Sequence, residues 1–228
     1  SYLLSTMGAV APIRACIQDL NPDVVIGRYL PACLIAARMG MRVIYESHFP
    51  VWKSLLEGRL FKLLLRCKSF TRLIVITKPL AQLYHSRYGA TLQPGQVHVI
   101  PDGADIVSNP EKCKSWPGRC NALQAGYVGH LYKGKGIEII TAVAPQLPEV
   151  DFHIIGGIAA DVEHWKHKTS AENIFYHGFI PPDQLTPYIN SLDVCLLPNQ
   201  REVYAYGAKN QPGKNISEFT SPLKMFEY

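Results

Sequence analysis

A glycine- and lysine-rich run between an apolar strand and a helix is the first feature that could do chemistry. The run is Gly129-His130-Leu131-Tyr132-Lys133-Gly134-Lys135-Gly136. Glycines let the backbone approach an anion closely, the N–H groups at a helix start point at it, and the lysines and His130 add positive charge. The run is neither a Walker A loop nor a G-x-G-x-x-G fingerprint. It predicts an anion site, with a simple turn carrying a solvated lysine as the alternative.

Two other segments carry candidate ligand groups. His48 closes Tyr45-Glu46-Ser47-His48 directly after a strand, where it is either part of a site or a local hydrogen-bonding residue. Near the end of the chain, Ser221 as N-cap and Pro222 at the first helical position predict a helix start. The free N–H groups of that first turn could hold a phosphate or sugar oxygen, and Glu227 could accept hydrogen bonds from hydroxyls. A capping helix without function is the alternative.

The residues that could bind a metal are too scattered to predict a metal site. His164 and His167 have helical spacing, but lysines flank them and no carboxylate cluster lies nearby. The aspartates form no D-x-D pattern, and no Ser-His-Asp or Cys-His order is recognisable. We therefore expect chemistry without a metal.

Short apolar strands alternate with helical patterns and must position these loops. Strands are predicted at residues 23–26, 42–45, 72–76, 98–100, 125–129, 151–155, 173–176 and 194–197, and one of the intervening helices at 137–147. Runs such as Leu73-Ile74-Val75-Ile76 are apolar without alternation, as expected for strands buried on both faces. The pattern predicts an α/β fold with parallel sheets and helices on both faces.

A break in the middle of the chain predicts two domains. Residues 101–119 are rich in Pro, Gly and charge, and a new strand–helix series follows. We predict a hinge near 106–119, a first domain at 1–106 and a second at 107–228. Residues 200–218 are predicted to form a long functional loop.

The basic character of the chain lies in its first domain. The net charge is +5, yet residues 1–106 contain twelve Lys and Arg against six Asp and Glu. A helix predicted at 51–69 has one apolar stripe (Trp52, Leu55, Leu56, Leu60, Leu63, Leu64) ringed by Lys and Arg. It is either a core helix with a solvated basic face or a contact with an anionic membrane surface. Nucleic acid is not the expected partner, because no aromatic-and-basic binding motif is present.

Cysteine usage and termini indicate a cytoplasmic protein that could sit peripherally on the inner face of the membrane. None of the six cysteines forms a C-x-x-C pair, so we expect reduced, structural thiols, with a Cys113/Cys120 pair as the alternative. No apolar run is long enough to span a bilayer, and the start of the chain has no signal-peptide pattern. The first residues are expected to be a cut and not a native start.

Taken together, these segments resemble glycosyltransferase family 4. The matching segments, in the family's order and over nearly the whole chain, are residues 22–29, Glu46-Ser47-His48, 100–105, 127–136, 154–157, 176–180, 193–198 and 221–228. The resemblance implies a GT-B fold, with two Rossmann-like domains facing each other across a cleft and both truncated here. The domain at 1–106 would be on the acceptor side, and the domain at 107–228 would bind the donor.

The resemblance also implies an activity and its residues. The activity is retaining transfer of a sugar from a nucleotide-sugar donor to an unknown acceptor (a glycan, a lipid or a small molecule), without metal or other cofactor. His48 and Lys135 would be catalytic, and Gly129, His130 and Lys135 would contact the donor diphosphate, with His130 replacing the family's usual arginine. The donor nucleoside and sugar would be held by Gly157, Phe179, Ile180, Ser221, Pro222, Leu223 and Glu227.

Departures from the family pattern leave other functions open. Glu227 matches the second glutamate of the family's E-x7-E element, but Phe219 occupies the position of the first, with Glu218 beside it. The family's glycine-rich first loop would precede Ser1, and its closing segments would follow Tyr228. The alternatives are a non-hydrolysing nucleotide-sugar epimerase and a catalytically inactive sugar-nucleotide-binding protein.

Overall fold

The computed structural model describes residues 2–105, 116–203 and 215–228, with side chains described from residue 8 onward. The chain divides into two compact units. Unit 1 comprises Ser1–Asp102 and Glu218–Ser221, and unit 2 comprises Gly103–Ser217 and Pro222–Tyr228. Most of the predicted hinge at 106–119, like most of the predicted loop at 200–218, lies outside the described residues. The domain boundary at 106 therefore stays a prediction.

Unit 1 contains a parallel sheet of four strands in the order β1-β2-β3-β4. Its strands are β1 (Val24–Gly27), β2 (Arg42–Ser47), β3 (Phe70–Val75) and β4 (Val97–Val99). Its described helices are α1 (Tyr2–Leu20), α2 (Leu30–Arg38), α3 (Leu55–Leu65) and α4 (Lys78–Tyr88). The loops that follow β1 and β2 lie at the carboxyl edge of this sheet, where parallel sheets bind ligands.

The helix predicted at 51–69 is wrong in its extent. A 3-10 turn at Val51–Lys53 is followed by α3, which begins after Ser54. The hydroxyl of Ser54 accepts a hydrogen bond from the backbone N–H of Glu57, and this cap separates the two helical segments. As a result Leu55, predicted to lie on the apolar stripe, is 85% exposed, whereas Phe61 and Leu64 are buried.

Aromatic side chains fill the core of unit 1. The ring centroid of Phe61 lies 5.4 Å from that of Tyr84 and 5.0 Å from that of Tyr88, and Trp52 packs edge-on against both tyrosines. Buried Tyr84 satisfies its hydroxyl with the Ser47 hydroxyl, 2.8 Å away. Cys33, on α2, is also fully buried, and burial raises the pKa of its thiol to about 12. These contacts fix the helices against the strand ends.

Unit 2 contains a parallel sheet in the order β7-β6-β5-β8. Its strands are β5 (Leu123–Val128), β6 (Val150–Ile155), β7 (Ile174–Gly178) and β8 (Val194–Cys195). Its described helices are α5 (Ile137–Val143), α6 (Ala159–Lys168), α7 (Pro182–Ile189) and α8 (Lys224–Glu227), and a 3-10 turn at Ala144–Gln146 follows α5. The chain moves from β5 outward to β7 and then returns to the other side of β5 with β8. Between β5 and β8 the sheet therefore has a topological switch point, where doubly wound sheets bind ligands.

All eight predicted strands are present, with ends that differ by up to two residues. The helix predicted at 137–147 becomes α5 and a 3-10 turn, because Pro145 cannot supply the N–H that a continuing α-helix needs. Helix α1 was not predicted. Among the described residues, no helix combines the length and the apolar character that crossing a bilayer requires.

The helix start predicted at Ser221 is wrong. Helix α8 begins at Lys224 and is preceded by Leu223, without a side-chain cap. The cause lies upstream, because Glu218–Ser221 belongs to unit 1. There the Thr77 hydroxyl donates a 3.0 Å hydrogen bond to the Phe219 carbonyl. With Ser221 held in unit 1, the first turn of the predicted helix does not form.

Candidate functional site

The loop after β5 lies at the switch point of unit 2. Its first residue, Gly129, has a φ of 140° and donates its N–H to the Ile155 carbonyl at 2.8 Å. Its last residue, Gly136, adopts a left-handed conformation as the N-cap of α5, and a Cβ there would clash with the Pro198 carbonyl. Only glycine fits at Gly136, so the loop that carries Lys135 is held close to the segment after β8.

Lys135 is partly buried in this loop. Its ammonium lies 5.2 Å from the ring centroid of Tyr132, and burial lowers its pKa. Beneath the loop, Tyr127 is fully buried, and its hydroxyl donates a 2.6 Å hydrogen bond to the His130 carbonyl. The pKa of Tyr127 is raised well above its usual value by burial, so Tyr127 is a neutral support for the loop.

Lys224 is a candidate site residue that the sequence analysis did not single out. Its side chain is only 9% exposed, and its amine lies 3.6 Å from the ring centroid of Tyr127. Among the described residues the buried amine has no hydrogen-bond partner. Burial and, to a smaller extent, Lys135 together lower the pKa of Lys224 to about 7 against an opposing effect of Glu227. A buried cationic group without a partner is costly, which marks this position as a place for an anion.

Tyr228 fixes α8 at the switch point. Its hydroxyl accepts a 3.0 Å hydrogen bond from the Val128 N–H and lies 3.3 Å from the Leu196 carbonyl, to which it donates. The hydroxyl thus bridges β5 and the segment after β8, where the two strands diverge. Since Lys224 is four residues before Tyr228 on the same helix, this bridge holds the Lys224 side chain over Tyr127.

An open cleft of about 690 Å³ lies beside this loop in unit 2. It is bordered by three predicted site residues, His130, Gly157 and Phe179. Phe179 is 72% exposed, and Ile180 follows it in the loop after β7. Tyr176 also borders the cleft, and its buried hydroxyl has no hydrogen-bond partner within the described residues. The cleft therefore presents one exposed aromatic ring, that of Phe179, to a ligand.

His48 lies in unit 1, at the end of β2, in a cluster of paired charges. The Arg28 guanidinium nitrogen Nη2 is 3.0 Å from His48 Nδ1, and His48 Nε2 is 2.5 Å from Glu46 Oε1. A guanidinium can only donate, so Nδ1 accepts and Nε2 carries the proton that it donates to the carboxylate. Both ring nitrogens of His48 are engaged, and its orientation is fixed by two partners.

The remaining predicted residues are distributed between the units. Phe219, at the position of the family's first glutamate, is buried in unit 1, where the Lys53 ammonium lies 4.9 Å from its ring centroid. Ser221 belongs to unit 1, whereas Pro222 and Leu223 precede α8 in unit 2. Glu227 lies on α8, exposed, and raises the pKa of Lys224. Glu227 and Lys135, in the loop after β5, therefore both lie close enough to Lys224 to change its pKa.

A metal ion needs a set of ligand side chains that converge on one point. Within residues 2–105, 116–203 and 215–228, no three His, Cys, Asp or Glu side chains converge. Independence from metal stays a prediction.

Two family models match the chain. The model of Glycosyltransferase Family 4 matches residues 2–107, and the model of Glycosyl transferases group 1 matches residues 122–213. The resemblance inferred from the sequence is thus confirmed, by separate models for the two halves. No curated protein matches the chain.

Solved structures share the fold at low sequence identity. HepE from Anabaena, determined in complex with UDP, is 18% identical with a TM-score of 0.61, over 84% of this chain and 57% of its own. Sucrose-phosphate synthase from Thermosynechococcus elongatus is 17% identical with a TM-score of 0.59, over 87% of this chain and 56% of its own. A glycosyltransferase from Rickettsia africae is 12% identical with a TM-score of 0.60, over 85% and 56%.

The chain spans a little over half the length of these structures. At such identities the likeness shows the fold, and it confirms the predicted GT-B architecture with parallel α/β sheets. The family models and the fold agree: residues 2–107 match Glycosyltransferase Family 4, residues 122–213 match Glycosyl transferases group 1, and the fold is that of GT-B glycosyltransferases.

Proposed function

We propose that the full-length protein is a retaining glycosyltransferase that transfers a sugar from a nucleoside diphosphate sugar without a metal ion. The observation that carries the proposal is the pair of lysines at the switch point of unit 2. Lys135 is presented by a glycine-rich loop, and the Lys224 amine is buried without a hydrogen-bond partner among the described residues. Two closely placed lysine amines that form no ion pair with a described carboxylate suit a diphosphate.

The leaving diphosphate determines what these residues do in the reaction. Negative charge grows on the diphosphate as its bond to the sugar breaks, and a fixed cation lowers the barrier if it meets that charge in the transition state. Lys135 fills this role, and Gly129 allows the diphosphate to approach the backbone. The cations supply the charge stabilisation that a divalent metal supplies in other transferases.

The cleft beside the loop is the proposed site for the donor nucleoside. Its volume of about 690 Å³ is within the range of small-molecule sites. Phe179, which borders the cleft and is largely exposed, offers a flat face to a base. HepE was determined with UDP, so UDP is the first nucleotide to test. Glu227 is proposed to accept hydrogen bonds from ribose hydroxyls.

The experiment is a donor panel with the full-length protein. Release of nucleoside diphosphate is measured for UDP-, GDP-, ADP- and TDP-sugars, with and without glycan, lipid and small-molecule acceptors, and the anomeric configuration of the product is determined by NMR. A transferase gives an acceptor-dependent product with the donor's configuration. A free epimerised sugar without acceptor would identify the epimerase, and nucleotide binding without turnover would identify an inactive binding protein.

We also propose a cytoplasmic protein that touches an anionic membrane with unit 1. The exposed face of α3 and its end contains Leu55, Arg59, Lys62 and Arg66, an apolar residue followed by three cations. Such a face attracts anionic lipid, by about 1 kcal/mol for each Lys or Arg near the surface. The described cysteines are free thiols, as a reducing compartment would maintain.

Sedimentation with lipid vesicles tests the membrane contact. The full-length protein should sediment with phosphatidylserine vesicles at low salt and dissociate as salt rises. Lys62→Glu with Arg66→Glu should weaken this binding. Lys166→Glu with Lys168→Glu is the matched control, because it makes the same charge change on exposed α6 of unit 2. Equal binding to neutral vesicles would contradict the proposal.

A further inference from the structure

The Lys224 amine lies in an environment that does not suit a permanent cation. It is covered on one side by the Tyr127 ring, 3.6 Å away, and on another by the backbone of Gly129, where a Cβ would lie 3.0 Å from it. The side chain is 9% exposed, and the described residues offer its amine no hydrogen-bond acceptor. The aromatic face is a favourable contact for its charge.

The charged and titratable neighbours of Lys224 also disfavour its protonated form. From the loop after β5, Lys135 repels a second positive charge. On α8 itself, Glu227 favours the charge but is exposed, and burial opposes it more strongly. The hydroxyls of Tyr127 and Tyr228 are neutral, because burial raises both pKa values. The Glu138 carboxylate, on α5, raises the pKa of Tyr127 further. Together, burial and Lys135 lower the pKa of Lys224 to about 7 against the opposing effect of Glu227.

We propose that Lys224 is a second binding residue for the donor diphosphate and that its amine takes up a proton from solution when the diphosphate binds. This inference rests on the proposed function, since it assigns the diphosphate to the loop that contains Lys135. The anion supplies the acceptor oxygens that the amine lacks among the described residues and compensates the repulsion between the two lysines. The charge of Lys224 thus forms when the ligand arrives.

The stoichiometry of proton uptake follows from the free and bound states. At pH 8 the free amine is mostly neutral, whereas two negative phosphates beside it favour the ammonium form. Binding of one UDP should therefore take up most of one proton at pH 8. Over the same range the affinity should depend on pH, with a Kd for UDP that rises about tenfold between pH 8 and pH 9.

Isothermal titration calorimetry measures the proton directly. UDP is titrated into the full-length protein at pH 8 in buffers of different ionisation enthalpy, and the dependence of the observed heat on that enthalpy gives the number of protons. Lys224→Met keeps a linear side chain of similar length without an amine. It should bind UDP more weakly, take up no proton and lose the steep pH dependence between pH 8 and pH 9.

The matched control is Lys133→Met, which removes an exposed lysine of the same loop. It should take up the wild-type number of protons. Thermal melting of each variant checks folding, and the wild-type measurement is a test by itself if Lys224→Met does not fold. UDP binding without proton uptake, or the same uptake in Lys224→Met, would overturn the inference and leave the proposed function standing. If none of UDP, GDP, ADP and TDP binds to the wild type, the proposed function fails instead.

Discussion

The two sheets both carry basic residues at the carboxyl ends of their strands, but their charges are compensated differently. In unit 1, His48 is held between the Arg28 guanidinium at 3.0 Å and the Glu46 carboxylate at 2.5 Å. In unit 2, Lys135 and Lys224 repel each other, and the buried amine of Lys224 has no hydrogen-bond partner in the described part of the chain. The first group of charges is internally paired, and the second is not.

The difference in charge pairing between the two units indicates which of them is suited to bind an anion. A paired cluster has already satisfied its hydrogen bonds, so it orients a side chain without needing a ligand. An unpaired buried cationic group is unfavourable until an anion binds, and that unfavourable state is relieved by the ligand. This difference supports the proposal that the unit 2 loop binds the anion, whereas the unit 1 cluster orients the ring of His48.

The largest expected effect comes from removing the cation that the loop presents. Lys135→Ala in the full-length protein should lower turnover by about a hundredfold to a thousandfold, because a preorganised charge-stabilising group is lost. The fold should survive, as a loop lysine contributes little packing. Turnover and melting curves of Lys135→Ala are compared with those of Lys133→Ala, which should change little. Near-wild-type turnover in Lys135→Ala, or loss only through unfolding, would place the diphosphate elsewhere.

The stability of the ligand-free protein should reveal the unpaired state of Lys224. Its folded pKa, about 7, is below the usual value for lysine, so the unfolded chain binds the extra proton between these values. The free energy of unfolding should therefore increase with pH, by on the order of 1–2 kcal/mol from pH 7 to pH 9. Urea unfolding of the wild type and of Lys224→Met measures the difference. A difference that does not depend on pH would show that Lys224 already has a compensating partner in the folded protein.

A smaller effect is expected in the paired cluster. Glu46→Gln keeps an acceptor for His48 but removes the carboxylate charge, and the pair is partly solvent-exposed. The free energy of unfolding should change by less than about 1 kcal/mol. Turnover should fall less in Glu46→Gln than in His48→Ala, which removes the positioned ring. A loss in Glu46→Gln equal to that in His48→Ala would show that the charge itself is required.

No effect is expected from chelation. If Lys135 and Lys224 supply the positive charge for the leaving diphosphate, turnover of the full-length protein should be unchanged in excess EDTA. Activity that disappears with EDTA and returns with magnesium or manganese would contradict the metal-independent mechanism.

The strands were predictable from the sequence because a strand buried on both faces is a short continuous apolar run. Such a run can be identified without knowing which strands it pairs with. Helix boundaries that depend on a single side chain were not predictable. Ser54 ends one helical segment and starts another, and a periodicity of apolar residues at 51–69 cannot show that cap. The Ser221 cap failed for a different reason. Its signal is local, whereas the contact that overrides it joins Thr77 to Phe219 across 142 residues.

The loop at 129–136 was predictable because its glycines and lysines are neighbours in the sequence, between a strand and a helix. Lys224 was missed because its importance comes from burial against Tyr127, on a strand nearly a hundred residues earlier in the chain. One signal in the sequence could have found it. Lys224 interrupts the otherwise apolar Leu223 to Phe226 and precedes Tyr228 by one helical turn. Because Lys224 and Tyr228 share one face of this helix, burial of the tyrosine predicts that the lysine is buried as well.

The burial of Cys33 has a consequence for spectroscopy. Its thiol is inaccessible and protonated at neutral pH, and Cys67 and Cys195 are partly covered, so none of these should react readily with a maleimide. Cys16 and Cys120 are exposed, and one lies in each unit. With Cys113 replaced by serine, residues 1–228 would carry one exposed attachment point for a fluorophore in each unit. Energy transfer between them would report, in solution and in real time, any movement of one unit against the other when a nucleotide binds.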